Sequence, residues 1–260
     1  MHNSQKLFLT VLILLSSFYL KTSFGQITTD RPSQSDNSYV LEKGYLQFES
    51  ALNYSWSKSN PYTYHQFSLP TTSIRYGLNS KFELRLGTEY TSNIWNDNNP
   101  NSYNTSFSQF QHLQVGTKIQ LLKRVAWISH ALIPVDKSNP QLLGQLHKVS
   151  ATFPLSKKTS ITSNLVYRRL KMATFNEAIP FYSFMATLNI WSQITPKLMI
   201  FSEPYLYSEN NNTPALNFNA GFAYILHQNH QIDLSAGTTV LSPYAPWSFV
   251  SFGYSFRFKK

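Results

Sequence analysis

Apolar and polar residues alternate along this chain from Gly44 to its end, and this alternation constrains the fold more than any other feature. In the first such segment, Leu46 and Phe48 share one side, while Gln47 and Glu49 share the other. A period of two is typical of a β-strand with two different faces, and helical periodicity is missing. The segments run for about ten residues, which is the length of a tilted strand that crosses a bilayer. The sequence therefore predicts an all-β chain.

The connections between the segments indicate how the strands are joined. Mostly tight turns follow the even-numbered strands, and mostly long connections rich in Asn, Pro and Ser follow the odd-numbered ones. An even strand number, alternating short and long loops and an apolar outer side are typical of a bacterial outer-membrane barrel, whose short turns face the periplasm. The predicted long loops are 57–64, 93–106, 136–143, 170–179, 208–214 and 242–246.

A closed sheet also leaves no backbone edge unpaired in hydrocarbon, where each unpaired group would cost several kcal/mol. Residues 44–260 are therefore predicted to form a single closed antiparallel transmembrane β-barrel of about 12 strands with up-and-down topology. Both termini would then lie in the periplasm.

The first 25 residues have the features of a cleaved secretory signal. Lys6 precedes the apolar run from Leu7 to Leu20, which is shorter than the roughly 20 residues needed to cross a bilayer as a helix. Small residues follow at the usual recognition positions. We therefore predict that residues 1–25 are removed and that the mature chain, beginning at Gln26, is directed to a Gram-negative outer membrane.

Composition excludes several other classes of protein. The chain has no cysteine, which rules out disulfide scaffolds, thiolate metal sites and cysteine nucleophiles. Its net charge of +10 could indicate nucleic-acid binding, but the basic residues are not gathered on one face with stacking aromatics between them. Many fall in the predicted periplasmic turns, where a solvated lysine beside anionic headgroups is expected. We therefore expect no nucleic-acid partner.

A secreted soluble β protein, such as a sandwich or a lipocalin-like barrel, is the alternative fold. The apolar side of such a protein would point inward, so its polar side would face solvent and be rich in Lys, Glu and Asp. Here the polar side consists mainly of Gly, Ser, Thr, Asn and Gln with scattered charges. This pattern favours the membrane barrel.

A set of charged and histidine side chains falls on the side predicted to face the lumen. Such groups can pair with each other and stiffen the barrel, or line an aqueous path that selects solutes by charge. Both signs occur on the first four strands, which favours a narrow or partly plugged pore. The predicted lumen-lining residues are Glu49, Arg75, Glu83, Arg85, Glu89, His112, Lys118, Arg168, Asp233 and Arg257.

Residues 26–43 form a leader ahead of the barrel. The leader is too poor in apolar residues to fold as its own domain, but it contains Asp30 and Arg31. We hypothesise that it enters the lumen from the periplasmic side as a plug, with Asp30 or Arg31 pairing to lumen charges such as Glu49 or Arg75. The alternative is a solvated periplasmic leader.

The sequence contains no recognisable active site. A serine nucleophile elbow, a phosphate-binding glycine loop and a zinc helix motif are all missing. The seven histidines show no ligand spacing on one face, so no metal and no cofactor are predicted. A serine hydrolase built on a barrel would need His and Ser two positions apart on one strand face, and His147 has Val149 there. We therefore predict no catalytic residue and no enzymatic activity.

Four motifs stand out along the chain. They are Thr29-Asp30-Arg31-Pro32-Ser33, Gly44-Tyr45-Leu46-Gln47-Phe48-Glu49, Tyr76-Gly77-Leu78 and Phe82-Glu83-Leu84-Arg85. Together they resemble the transporter-like outer-membrane family catalogued under a phenol-degradation meta-pathway. The resemblance covers essentially the whole mature chain, and it implies a small barrel for uptake of hydrophobic or aromatic compounds.

The last strand carries alternating aromatics and finishes with Phe256-Arg257-Phe258 before two lysines. It resembles the C-terminal strand through which the barrel-insertion machinery recognises outer-membrane proteins. The expected partners are therefore that machinery, outer-membrane lipid and lipopolysaccharide, and a small-molecule solute.

The predicted function is an outer-membrane pore or facilitator for the passive uptake of small molecules. One alternative is a non-conducting structural barrel. Another is a barrel that binds a ligand or glycan through its long loops, especially 93–106 and 208–214. An enzyme acting on lipid is a third and weaker interpretation.

Overall fold

A computed structural model of the protein describes residues 27–97, 104–135, 143–173, 178–210 and 212–259, with the backbone alone at 172, 173 and 178. The predicted signal, residues 1–25, lies outside these ranges. The described residues contain no helix long and apolar enough to cross a membrane. Their strands are β1 (Tyr45–Ser59), β2 (Tyr62–Gly77), β3 (Phe82–Asp97), β4 (Thr105–Phe110), β5 (His112–Leu122), β6 (Val125–Pro134), β7 (Gly144–Pro154), β8 (Thr159–Ala173), β9 (Ala178–Gln193), β10 (Leu198–Glu209), β11 (Ala215–His227), β12 (His230–Leu241) and β13 (Trp247–Lys259).

The strands form one closed sheet in which paired strands run antiparallel. The first and last strands close the ring, because β1 pairs with β13 as well as with β2. At this seam Phe48 lies opposite Phe256, and their rings stack 4.9 Å apart. Apart from β4, sheet order follows chain order. The predicted up-and-down barrel of twelve strands is therefore confirmed, with one extra strand.

The extra strand, β4, arises because β3 changes partner along its length. The first part of β3 pairs with β5, and its last part pairs with β4. Only Gln111 separates β4 from β5, and its N–H donates to the carbonyl oxygen of Glu89 at 2.8 Å. The two short strands thus act as one strand with a kink at a single residue, as in a β-bulge.

Several strands extend further than their sequence pattern indicates. The predicted loop 57–64 is wrong, because β1 continues to Ser59 and β2 begins at Tyr62. These strand ends are rich in Tyr, Thr and Ser, which suit a strand that projects beyond the apolar belt. Parts of four other predicted loops lie outside the described residues, whereas the connection 242–246 is as predicted.

The two ends of the barrel differ in their connections. At the end called here the turn end, the barrel begins at Tyr45, finishes at Lys259 and reverses through short turns such as 78–81 and 228–229. The opposite end, called the loop end, carries the connections after β1 and β12. The location of the turn end in the periplasm stays a prediction.

Side chains alternate between the outside and the inside of the barrel. Leu84 and Leu234 point outward with 48% and 44% of their surface exposed, whereas Lys118 and Glu49 are 0% and 2% exposed. A soluble protein shows the reverse, with large apolar residues buried and charges at the surface. Such an outward apolar belt suits hydrocarbon. The secreted soluble alternative is therefore wrong, and the barrel is of the outer-membrane type.

Candidate functional site: the leader and the lumen charges

The leader, described from residue 27 to residue 43, lies inside the turn-end half of the barrel. Near its start, the carbonyl oxygen of Thr28 accepts a hydrogen bond from Gln47 of β1, at 2.9 Å. Further along, the N–H of Ser38 donates to Thr152 of β7, at 3.0 Å. Because β7 lies across the ring from β1, the leader spans the lumen from wall to wall. Its described residues form no strand, so it is held without joining the sheet.

Gly77 of β2 gives the leader room to pass. A Cβ atom at this position would lie 2.2 Å from the carbonyl oxygen of Glu42 and 2.4 Å from that of Leu41. The N–H of Leu41 donates to the carboxylate of Glu83 at 2.7 Å. The missing side chain therefore allows the leader backbone to reach a lumen charge directly.

Charged side chains meet where the leader contacts β1, β2, β3 and β5, and we call them the charge cluster. The guanidinium of Arg75 lies 2.7 Å from the carboxylate of Glu49, and it donates two hydrogen bonds of 2.7 and 2.9 Å to the carboxylate of Glu83. The Nε of Arg85 lies 2.8 Å from the same Glu83 carboxylate. The cluster consists of three acidic and three basic residues, namely Asp30, Glu49, Glu83, Arg75, Arg85 and Lys118.

Asp30 is the member of the cluster that the leader supplies. Its carboxylate lies 3.3 Å from Arg75 and 3.3 Å from Lys118, and it also pairs with Arg85. The N–H of Asp30 donates to Glu49, at 3.2 Å. The barrel wall alone contributes three positive and two negative charges, so Asp30 makes the cluster neutral. A buried charge left without a partner is strongly unfavourable, and the leader removes that excess.

The electrostatics of Asp30 reflect this arrangement. Burial by itself would raise the pKa of the Asp30 carboxyl, since it disfavours the charged form. The positive charges of Arg75, Lys118 and Arg85 more than offset burial and hold that pKa well below its ordinary value. Asp30 is therefore ionised at neutral pH while the leader is bound.

Asp36 is a second charged contact of the leader. Its carboxylate lies 2.7 Å from Lys148 of β7 and 3.4 Å from Arg85. Its N–H donates to Asn164 of β8 at 2.8 Å, and its carbonyl oxygen accepts from Ser150 at 2.6 Å. Burial by itself would raise the pKa of Asp36, but the positive charges of Lys148, Arg85 and Lys118 together outweigh it, so the pKa is lowered.

Glu203 of β10 holds the middle of the leader. Its two carboxylate oxygens accept from the N–H of Gln34 at 2.8 Å and from the N–H of Ser35 at 2.9 Å. The Ser35 hydroxyl also contacts Glu203, and it lies 2.6 Å from the hydroxyl of Thr187. This carboxylate is fully buried. It binds the leader through backbone groups as well as through a side chain.

Arg31 points to a different wall from Asp30. Its guanidinium lies 3.3 Å from Asp233 of β12 and donates to Ser251 of β13 at 2.8 Å. Gly253 leaves space for it, because a Cβ there would lie 2.6 Å from the Nε of Arg31. Asp30 thus binds the leader to β1, β2, β3 and β5, whereas Arg31 binds it to β12 and β13.

The other predicted lumen residues lie toward the two ends of the barrel. Glu89, His112 and Arg168 line a separate cavity nearer the loop end. Arg257 lies at the turn end with its guanidinium over the ring of Tyr45, 4.7 Å from the ring centre. The cavity and the cluster are neighbouring regions of one lumen, because Glu89 also lines the space beside Glu49 and Arg85.

Glu203 and Lys148 bind the leader, but they were not singled out from the sequence. Both lie on the polar side of their strands, opposite a face that carries outward residues such as Ile200 and Val149. Alternation could have placed them in the lumen. Nothing in the local sequence connects them to a segment more than a hundred residues earlier.

The inner wall is not polar throughout. Ile128 and Leu132 of β6 point inward and are almost completely buried, as are Leu170 of β8 and Phe201 of β10. The lumen therefore offers apolar contacts between its charged and amide-bearing side chains. Within the described residues, no group of three His, Asp or Glu side chains is arranged to hold a metal ion.

The fold and its inward charges define the class of protein, an outer-membrane β-barrel whose lumen is crossed by its own N-terminal leader. The sequence model of one protein family matches residues 29–258, and that family is described as "Putative MetA-pathway of phenol degradation". The chain belongs to this family. No curated protein matches the sequence.

Solved structures with similar folds include barrels of quite different roles. An outer-membrane channel from Pseudomonas putida F1 has a TM-score of 0.64 and 11% identity, over 87% of this chain and 100% of that chain. The translocator domain of the autotransporter NalP from Neisseria meningitidis has a TM-score of 0.58 and 11% identity, over 84% and 90%. The transport unit of the autotransporter AIDA-I from Escherichia coli has a TM-score of 0.55 and 9% identity, over 96% and 97%. At these identities the likeness shows a shared fold.

Proposed function

We propose that the protein is an outer-membrane channel for the passive uptake of small molecules, and that the leader closes its turn-end half. The observation that carries this proposal is the attachment of the leader to the lumen wall. It is bound by ion pairs and side-chain hydrogen bonds on β1–β3, β5, β7–β10 and β12–β13, and it adds no strand to the sheet. Such a segment can leave while the barrel stays closed.

Two features support a solute that combines apolar and polar groups. The inner wall carries the apolar side chains of Ile128, Leu132 and Leu170 beside its charges. The family description refers to phenol degradation, which favours small hydrophobic or aromatic compounds. In this proposal the turn end faces the periplasm, and solute enters at the loop end.

The residues proposed to determine solute selectivity form two groups along this path. Those beside the leader act when it is displaced, because their charges then face an aqueous lumen. Those near the loop end meet the solute first. The first group is Glu49, Arg75, Glu83, Arg85, Lys118 and Asp233, and the second is Glu89, His112 and Arg168.

The outer surface would contact membrane lipid and lipopolysaccharide, and the aromatic last strand would be recognised by the insertion machinery. The seam between β1 and β13, with its stacked phenylalanines, agrees with a final strand that closes the ring last. The proposal assigns no catalytic step to the chain.

The test is deletion of residues 27–36 followed by single-channel recording in planar bilayers. The shortened protein should conduct more than the full chain. The deletion removes Asp30, Arg31, Ser35 and Asp36, whose contacts hold the leader to the lumen wall. Heat-modified mobility on gels verifies that the barrel has folded. Equal conductance of both proteins would contradict the plug, and absence of conductance in both would contradict the channel and favour a non-conducting barrel.

A further inference from the structure

The cavity lined by Glu89, His112 and Arg168 lies in the lumen on the loop-end side of the charge cluster. Its volume is about 410 Å³, which falls within the roughly 300–1,000 Å³ typical of ligand pockets. It lies between β2–β5 on one side and β6–β8 on the other. We call it the vestibule, and five amide side chains dominate its lining: Gln66, Asn93, Gln109, Gln111 and Gln114.

The amide groups are partly organised by each other. The Nε2 of Gln66 donates to the Oδ1 of Asn93 at 2.9 Å and to the hydroxyl of Tyr64 at 3.1 Å. The Nε2 of Gln111 donates to Thr91 at 2.7 Å. A side-chain amide has two donor hydrogens and two acceptor lone pairs. The bonds among the described side chains use only part of this capacity, so the wall can donate to and accept from a ligand.

The opposite side of the vestibule has a different character. Leu132 of β6 and Leu146 of β7 form an apolar wall there. Arg168 of β8 lines the same space, and its Nε is buried without a hydrogen-bond partner. His112 also lines the space, and the formal charge of Arg168 is balanced by that of Glu89.

The chemistry of the two walls restricts the ligand. Hydroxyl groups both donate and accept, as amides do, so a ligand with several hydroxyls can match several amide side chains at once. A ring with one hydroxyl would leave most of the amide groups without a partner when it displaced their water, which is unfavourable. The leucine wall requires a ligand with one apolar face. The neutral balance of charge gives an ion no advantage.

We propose that the vestibule binds a neutral six-membered ring that carries several hydroxyl groups, the size of one hexose. This site adjoins the charge cluster on its loop-end side, and Glu89 and Gln114 line both the vestibule and the space beside the cluster. This assignment goes beyond the proposed channel function, because it names a hydroxyl-rich ligand at the loop end in addition to the hydrophobic or aromatic solutes that the family description favours. Binding itself requires neither conduction nor movement of the leader.

The test is saturation-transfer-difference NMR on the full chain, refolded in detergent micelles. D-glucose is one probe, and cyclohexanol, a ring of the same size with one hydroxyl, is the other. We expect saturable binding of glucose and no competition by cyclohexanol at equal concentration. The double variant Gln111→Leu/Gln114→Leu should weaken glucose binding by about tenfold, since two hydrogen-bonding groups are lost.

The matched control is Gln145→Leu, which replaces an amide on the outward side of β7 and should leave glucose binding unchanged. Absence of saturable glucose binding to the folded wild type would overturn the proposal, as would equal binding by the double variant. Displacement of glucose by cyclohexanol would overturn the requirement for several hydroxyls. Because no membrane and no transport are involved, these results are independent of whether the barrel conducts.

Discussion

Replacement of Asp30 by Asn tests whether the charge cluster holds the leader in place. The carboxylate of Asp30 pairs with Arg85 and lies 3.3 Å from Arg75 and from Lys118. Asn has nearly the same shape, so the change removes the charge and little else. The wall would then carry three positive and two negative buried charges next to a neutral leader.

The magnitude follows from the burial of these groups. Removing one partner from a buried charge network costs about 3–5 kcal/mol. The full cost applies only to the bound leader, because in the released state water can solvate the cations. At about 3 kcal/mol the ratio of bound to released leader falls by roughly 100-fold, since each 1.4 kcal/mol corresponds to a factor of ten.

The assay is the open fraction of single channels in planar bilayers near neutral pH. Asp30→Asn should spend far more time in the conducting state than the wild type. Asp97→Asn at the loop-end terminus of β3 changes the net charge equally and serves as the control. If the folded Asp30→Asn protein gave the same open fraction as the wild type, the charge cluster would not be what retains the leader.

Protonation of the Asp30 carboxylate at low pH should have the same effect as the Asp30→Asn substitution. The pKa values of Asp30 and Asp36 are lowered in the bound leader, so both carboxylates favour binding at neutral pH. Their contribution is fully present above the ordinary carboxyl pKa of about 4, and is lost as pH falls below it toward the lowered values. The open fraction should therefore rise as pH falls from about 5 to about 3. An open fraction that did not rise over this range would contradict the assignment to Asp30 and Asp36.

Three other changes probe the leader and the wall. The hydroxyls of Ser35 and Thr187 are 2.6 Å apart, so Ser35→Cys/Thr187→Cys should form a disulfide in this cysteine-free chain and give low conductance that a reductant restores. Gly77→Ala should loosen the leader and raise conductance, because the added Cβ would lie 2.2 Å from a carbonyl oxygen of the leader. Gly87→Ala is the control, because the atom nearest to its added Cβ would be 3.3 Å away. Leu188→Arg on the outer face should lower the free energy of unfolding in liposomes by about 2–4 kcal/mol, and an unchanged value would contradict the outward orientation.

The number of strands around the ring and the outward face of each strand could be predicted, because both depend on local alternation. Leu84 and Leu234 alternate with Arg85 and Asp233, and the structure exposes the leucines and buries the charged residues. The extra strand β4 escaped prediction, because its residues are rich in Ser, Gln and Phe and follow a long polar connection. Its pairing depends on the length of β3, which no local pattern fixes.

The residues that bind the leader could be predicted only in part from the local sequence. The sequence identified Asp30 and Arg31 as candidates for pairing, with Glu49 or Arg75 as examples of partners. The structure pairs Arg31 with Asp233, which lies 202 residues away in the chain. Glu203 carries no local sign that it accepts hydrogen bonds from the leader.

The sequence by itself determined which side of each strand faces lipid, because successive side chains point to opposite faces and the apolar set must avoid water. It also determined that the strands close, because an open edge in hydrocarbon would leave backbone groups unpaired. Only the tertiary structure decided which inward charges meet. Closure brings distant strands around one narrow lumen, and the path of the leader across it selects the partners of Asp30, Arg31 and Asp36.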